Sequence, residues 1–568
     1  MVNSLYFLIF YLVLYLLGRG ILIASKPIFN IQHISNIKVS NFPISIIYPL
    51  FGLFFIGQIV LITNFFEGSD NIFVYVFGAL PLIANFFDIH YWLRLKDFNN
   101  LFIKITTLII IGFSSNTINF HQDAATYHLN NQLYIRTEKV VLGLANIHSR
   151  YGFSSLSEYI NSFFWNGSNF IFLHFVNLVF IGIFYFFIIW CLLESDILRL
   201  QIAALAILLF GILDNFGMEG GRNGYIDIEA VGKPDTAFAI LFFLSNYIII
   251  EKIYSKKMLS DSEFSITLFL ILFSAEYRFF GLVSLVGLLY LIKDDIKKYV
   301  TLNILPFFSF GLIWVFKNFL ITSCLIYPIT FTCIPSPWGN TFISKYQSFD
   351  LRSYHIAYKI FEETPLDWYF RWNERYLNYY VGINLAISIL LVFLFLTICF
   401  KSDNKGTAKN RFVSAYLFLI WLLWLVSAPS IRFGIGIFIL SILVLSFRFN
   451  QFRFQSLIKI INSRLLKITI LTLTILATPL LQNYEPQNYT GGLKKIQVRE
   501  VSYEDHEITW GQQVKVKESD RELGFCWLNK ECTPPPNFIV TEESLISYRM
   551  MILEDSSVLR RIRSSWNS

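Results

Sequence analysis

The chain has 568 residues, 55% of them hydrophobic and 15% charged, with a formal net charge of +7 and a mean hydropathy of +0.54. Such a balance excludes a water-soluble globular enzyme, because most of these residues need lipid as their solvent. The basic excess lies in short loops beside apolar runs, where anionic lipid accounts for it and no nucleic-acid partner is needed.

Apolar runs of roughly 17 to 25 residues recur from the N-terminus to about residue 481, and each must satisfy its own backbone hydrogen bonds. The predicted fold is therefore an all-α polytopic membrane protein of about 13–14 transmembrane helices; continuous, non-alternating runs argue against a barrel. In chain order the predicted spans are 4–24, 43–64, 72–87, 101–118, 169–193, 200–217, 236–253, 264–275, 279–292, 301–320, 381–400, 412–428, 433–447 and 465–481. The first lacks a basic leader and a small-residue cleavage site, so it reads as a retained helix. The short pair around Glu276 could also be re-entrant. Two regions follow: a transmembrane region 1–481 and a C-terminal region 482–568, expected to be a small external cap.

Basic residues set the orientation. Lys26, Lys38, Arg94, Lys96, Lys252, Lys256, Lys257, Lys293, Lys297, Lys298, Lys401, Lys405, Lys409, Arg411, Arg448, Arg453, Lys459 and Arg464 all fall on one side, taken as cytoplasmic, under a single alternation of spans. The opposite side receives Glu67 to Asp70, the loops 119–168, 218–235 and 321–380, and the tail. Both Cys324/Cys333 and Cys526/Cys532 lie there, where oxidation to disulfides is open to them. Cys191 and Cys399 fall within spans as small core residues.

The loop at 121–153, HQDAATYHLNNQLYIRTEKVVLGLANIHSRYGF, carries Asp123 just beyond a span. A carboxylate there, beside Tyr127 and His128, suits proton abstraction from an acceptor whose co-substrate is lipid-borne. Leu129, Leu133, Val140, Val141 and Leu144 share one helical face. Ser155 to Glu158 has the spacing of a capping box ahead of Tyr159, Ile160, Phe163, Phe164 and Trp165. Both stretches are expected as helices lying in the membrane interface, with Arg150 and Gly152 facing a ligand between them. His121, His128 and His148 match no standard metal spacing.

An Asp-x-x-x-Tyr-His segment directly after a span, followed by Gly-Leu-x-Asn-x-His-x-Arg-Tyr, resembles the C-type glycosyltransferases (GT-C superfamily), in particular uncharacterised bacterial members. Lys233-Pro234-Asp235 resembles their second acidic loop. FKNFLITSCLIYP at 316–328, APSIRFG at 428–434 and CWLNKECTP at 526–534 resemble further motifs, in order, so that the likeness covers about residues 100–535. The chain departs from the pattern at Thr322-Ser323-Cys324, where Ser-Gly is expected, and at Arg278, where lysine is commoner.

The resemblance implies transfer of a sugar from a polyprenyl-phosphate donor to a cell-envelope glycan, lipid or protein acceptor at the outer face of the cell membrane. It implies inversion with Asp123 as general base, and Asp235 orienting the acceptor or, with Asp123, holding a divalent cation such as Mg or Mn. Lys317, Arg278 and Arg432, at outer span ends, are the expected phosphate cations; snorkelling, or an ion pair of Arg278 with Glu276, is the plain alternative. Lys233, Arg150, Tyr127 and His128 complete the expected binding set. Trp338, after the turn Pro335–Pro337, is the aromatic singled out for sugar stacking, against a general interfacial belt. Asp235 also reads as an ordinary helix N-cap. Two rival functions remain: a lipid-linked glycan flippase or transporter, for which the chain shows no internal repeat, and an O-antigen ligase or polymerase centred on loop arginines.

Overall fold

The computed structural model describes residues 2–29, 38–85, 100–116, 123–165, 170–217, 232–299, 302–355, 390–395, 397, 405–427, 431–449, 463–480, 507–510, 514–518, 532–533, 540–545 and 547–553. They are mostly helical: α1 (Val2–Ala24), α2 (Tyr48–Thr63), α3 (Ile72–Ala79), α4 (Pro81–Ala84), α5 (Leu101–Gly112), α6 (Leu129–Thr137), α7 (Leu156–Phe163), α8 (Ile171–Ile189), α9 (Leu198–Gly217), α10 (Asp235–Ser255), α11 (Asp261–Tyr277), α12 (Ser284–Ile292), α13 (Ile296–Tyr299), α14 (Leu305–Thr322), α15 (Thr341–His355), α16 (Lys405–Ser427), α17 (Ile431–Phe449) and α18 (Arg464–Leu480). Each predicted span falls mainly on helix where it is described; for 381–400 that means only 390–395 and 397.

Among the described residues, six helices are long and apolar enough to cross a membrane: Val2–Ala24, Ile44–Thr63, Ile171–Glu194, Asp235–Ser255, Leu305–Thr322 and Lys409–Ser427. This is fewer than the 13–14 expected: some of the other predicted spans are interrupted and others extend beyond the described residues. Leu80–Pro81 divides the span at 72–87, and Arg278, in extended conformation, separates α11 from the 3₁₀ turn Phe279–Val283 that leads into α12.

α10 lies in the centre, its apolar window wholly buried, whereas only 33% of that of α14 is covered. α14 accordingly leaves Phe308, Leu312 and Phe316 exposed, one helical stripe suited to lipid. Small residues let α1 approach α2 closely: a Cβ on Gly18 would fall 1.7 Å from the Tyr48 carbonyl oxygen. Such backbone-to-backbone packing is the usual glue where solvent gives no hydrophobic drive. Phe51 stacks on Phe269 at 4.1 Å, joining α2 to α11.

Ion pairs collect at two poles of the bundle. One holds Lys104–Glu194, Arg199–Glu251 and Lys252–Glu263 at 2.6–2.9 Å, with Lys467 donating to Gln201 at 2.7 Å. The other holds Asp70–Arg136 at 2.7 Å, Glu138–Arg549 at 2.6 Å, and the pairs of Asp123 and Asp235 described below. Each pair joins residues that the alternation of spans puts on one side.

The C-terminal region is not helical where it is described. With the short pair β1 (Lys38–Val39) and β2 (Phe42–Pro43) near the N-terminus, its strands are β3 (Glu507–Trp510), β4 (Val514–Glu518), β5 (Cys532–Thr533), β6 (Val540–Leu545) and β7 (Tyr548–Leu553). β6 and β7 form an antiparallel hairpin. It docks on residues 138–147: Leu142 bridges to Met550 in parallel register, Asn146 Nδ2 donates to the Met551 and Trp338 carbonyls at 2.7 and 2.9 Å, and Tyr548 OH donates to the Phe65 carbonyl at 3.0 Å.

One local expectation changes. Val140 and Val141 do not continue a helix from Leu129; α6 ends at Thr137, and Val140 N–H donates to Asn64 O while Leu142 N–H donates to Arg549 O. α6 and α7 are tied into the main core, where Leu129, Ile135, Leu156, Tyr159 and Ile160 are buried. Cys324 and Cys333 form a disulfide and Cys191 is a buried thiol; Cys399 and Cys526 lie outside the described residues.

Candidate functional site

One cavity, of about 380 Å³, opens at the pole that carries Asp123. Asp123 stands immediately before a single π-helical turn, Ala124–His128, closed by Leu129 N–H donating to Ala124 O. Such turns insert a residue into a helix and re-aim its side chains; here Asp123, Tyr127 and His128 all line the cavity. Gly232 makes the other half of the arrangement. Its φ is +92°, and a Cβ there would lie 2.7 Å from the Ala124 Cβ, so only glycine lets Lys233-Pro234-Asp235 settle against the turn.

Asp235 is not a helix cap: Pro234 occupies that position, and no side chain caps the end. Its buried carboxylate instead accepts from Arg278 and lies 4.0 Å from Arg432 Nε. Arg278 reaches it because α11 stops one residue earlier. Both guanidiniums rest on Phe433, at 4.5 and 4.8 Å from its ring centre. Glu276 is not the partner of Arg278; it is buried and accepts from Gln58 Nε2.

On the opposite wall Arg150 contacts Asp123 at 3.4 Å and Asp350, on α15, at 3.3 Å, with its guanidinium 5.0 Å over the Tyr127 ring. Burial opposes charge on Arg150, but Tyr127, Asp350 and Asp123 hold it protonated above the ordinary range. Burial, with the Asp123 charge, raises the Tyr127 hydroxyl in turn. His148, beneath them, is pulled down to about 3 by burial and by Arg150; it stays neutral, its Nδ1 accepting from the Arg150 N–H at 3.3 Å.

A third group is His128 Nδ1 against Glu158 Oε1. Gln132 Nε2 donates to Glu158 Oε2 at 2.8 Å, and Trp165 Nε1 donates to Gln132 Oε1 at 2.8 Å. The expected capping box is thus only half formed: Ser155 Oγ accepts from Ser157 N–H, while Glu158 turns to His128.

Of the ten residues singled out from sequence, Asp123, Tyr127, His128, Arg150, Lys233, Asp235, Arg278 and Arg432 line this cavity. Lys317 and Trp338 do not. Lys317 is wholly buried, donating to Asn64 Oδ1 at 2.6 Å beneath the rings of Phe65 and Tyr159; its position faces α2 and α7, where a helix-end count could not place it. Trp338 packs edge-on to Phe319 and donates to its carbonyl at 3.3 Å.

Sequence reasoning missed Glu158 as a cavity carboxylate, Asp350, and the aromatic walls Trp314, Tyr327 and Trp424. The π-turn and the Ser155–Glu158 spacing are local signals; the pairing of Glu158 with His128, 30 residues away, is not.

The charges fall in groups. Arg278 and Arg432 face the carboxylate of Asp235, Asp123 and Asp350 share Arg150, Glu158 holds His128, and Lys233 borders both Asp235 and the His128–Glu158 pair. Asp123 and Asp235 each face a guanidinium, which does not suit a shared divalent cation, and among the described residues there is no cluster of three His, Cys, Asp or Glu able to hold a metal.

These features describe a mostly helical chain with candidate membrane spans and a polar, aromatic-walled cavity at one pole. The chain belongs to the family described as Domain of unknown function (DUF8201), whose model matches residues 1–439. No curated protein matches it, and no solved structure does.

Proposed function

We propose that the chain is a polytopic membrane glycosyltransferase of the C-type class, moving a sugar from a polyprenyl-phosphate donor to a cell-envelope glycan, lipid or protein. The observation that supports this reading is the cluster of three cations around the single carboxylate of Asp235 inside one cavity. A leaving phosphate needs fixed cations that do not reorganise during reaction, and Lys233, Arg278 and Arg432 outnumber their carboxylate. Binding would draw Arg278 and Arg432 from Asp235 onto phosphate oxygens, a charge-assisted exchange. Trp314, Trp424, Phe280 and Phe433 line the same cavity and would take the first prenyl units. The acceptor hydroxyl would sit by Asp123, the general base, so that attack and departure occur on opposite faces of the anomeric carbon and the configuration inverts. The basic residues in the loops of the opposite pole support a cytoplasmic position for it, and with it an outer-face position for this cavity.

The test uses the full chain in nanodiscs with undecaprenyl phosphate and its monoglycosyl esters. Arg278→Ala with Arg432→Ala is expected to weaken lipid-phosphate binding, read by quenching of tryptophan fluorescence. Asp123→Asn should bind as wild type yet transfer sugar about 10²- to 10⁴-fold more slowly. Unchanged transfer in Asp123→Asn would overturn the assignment, and lipid translocation without transfer would favour a flippase.

A further inference from the structure

His128 and Glu158 have no role in the scheme so far, although both line the cavity. Their contact is backed by a chain of donors running inward: Trp165 to Gln132, and Gln132 to the second Glu158 oxygen, each at 2.8 Å. Tyr127 lies against the imidazole, ring centres 4.1 Å apart. Both oxygens of Glu158 are occupied and its side chain is 6% exposed, so the carboxylate is fixed in place. With Nδ1 committed to Glu158, Nε2 is the nitrogen left to the cavity, and a carboxylate on one ring nitrogen sets the tautomer and supports protonation of the other.

We propose that His128, positioned by Glu158, is the group that carries away the proton released by the acceptor hydroxyl. The inference rests on the glycosyltransferase reading and deepens it. Asp123 is poorly suited to keep that proton, since holding it would discard the ion pair with Arg150, and the next turnover needs the carboxylate free. Asp123 and His128 stand at the two ends of the same π-turn and both line the cavity. The acceptor O–H bond breaks as its oxygen bonds the anomeric carbon. The bond from that carbon to the phosphate oxygen breaks, its electron pair leaving with the phosphate. The proton passes by way of Asp123 to Nε2, and the imidazolium is balanced by Glu158 until water at the cavity mouth takes the proton. His128 is then a catalytic residue and Glu158 a positioning one.

The charged or titratable groups around His128 are Asp123 and Tyr127 from its own turn, His148 and Arg150 from the 3₁₀ turn packed on it, Glu158 from α7, Lys233 ahead of α10 and Tyr277 at the end of α11. All but His128 and Glu158 stay unchanged in the test. With an undecaprenyl-phosphate sugar, His128→Ala is expected to lower kcat about 10²-fold with KM little changed, and added imidazole to restore at least part of the loss. Glu158→Gln should shift the acidic limb of the pH–kcat profile, which a merely structural pair would leave in place. Transfer by His128→Ala at the wild-type rate, or a loss that imidazole fails to restore, would overturn the proposal. A second arm needs no turnover: diethyl pyrocarbonate, with peptide mass spectrometry, on the native chain. His128 should be modified faster than the buried His174, and several-fold more slowly after Glu158→Gln. If His128 reacts no faster than His174, its free nitrogen does not face the cavity and the relay fails, whatever the fate of the glycosyltransferase reading.

Discussion

His148 illustrates how a side chain can matter by remaining uncharged. Burial and Arg150 hold its imidazole near 3 in the folded chain, against about 6.5 when unfolded. Between those values the unfolded chain binds a proton that the folded chain refuses, so stability is complete above about pH 6.5 and falls as pH drops toward 3, at about 1.4 kcal/mol per unit. Thermal melts in detergent should therefore fall between pH 7.5 and pH 5. His148→Asn keeps an acceptor for the Arg150 N–H but cannot titrate, and should lose less over that interval; equal losses would show that His148 contributes nothing. At this scale the sequence was informative for groups whose role follows from position along the chain: Asp123 and Arg432 stand next to spans and do line the cavity. It misled for Lys317, because proximity to a helix end does not say which way a helix faces. Glu158 was hidden by a local pattern that reads equally well as a helix start.

Helices were the most legible elements, since an apolar run is a local signal and needs no partner to be recognised. α11 begins earlier than its apolar run because Ser260 and Glu263 form a reciprocal capping box, which extends the helix by a polar turn. The stretch 138–147 was illegible for the converse reason: its backbone partners are Asn64, Leu320 and the hairpin near residue 550, none of them close in sequence. The turn at Gly232 gives a test at this scale. Gly232→Val would combine a disfavoured positive φ with a clash against Ala124, pushing Asp235 from its place. Binding of undecaprenyl phosphate should fall at least tenfold, while the helical circular dichroism is retained; unaltered binding would mean that this turn does not set the cavity.

The whole molecule is organised by where charge can be tolerated. Lys and Arg that the loops place on one side meet Glu at one pole, and the cavity occupies the other, with α10 buried between them. Because Asp123 and Asp235 are each paired with arginine, sugar transfer is expected to survive EDTA with less than a twofold change in kcat; recovery only on adding Mg²⁺ or Mn²⁺ would reassign both carboxylates. The division into poles was readable from loop charges, but the closure of the cavity pole was not, since it depends on a β-hairpin reaching back across the fold. That reach has a consequence for biosynthesis. Met550 meets Leu142, and Arg549 meets Glu138, so the segment beside the cavity waits for residues that leave the ribosome only after every described helix has been made. Making the described helices and finishing the surroundings of the cavity are thereby separate events, the second resting on a strand pair made some seventy residues later.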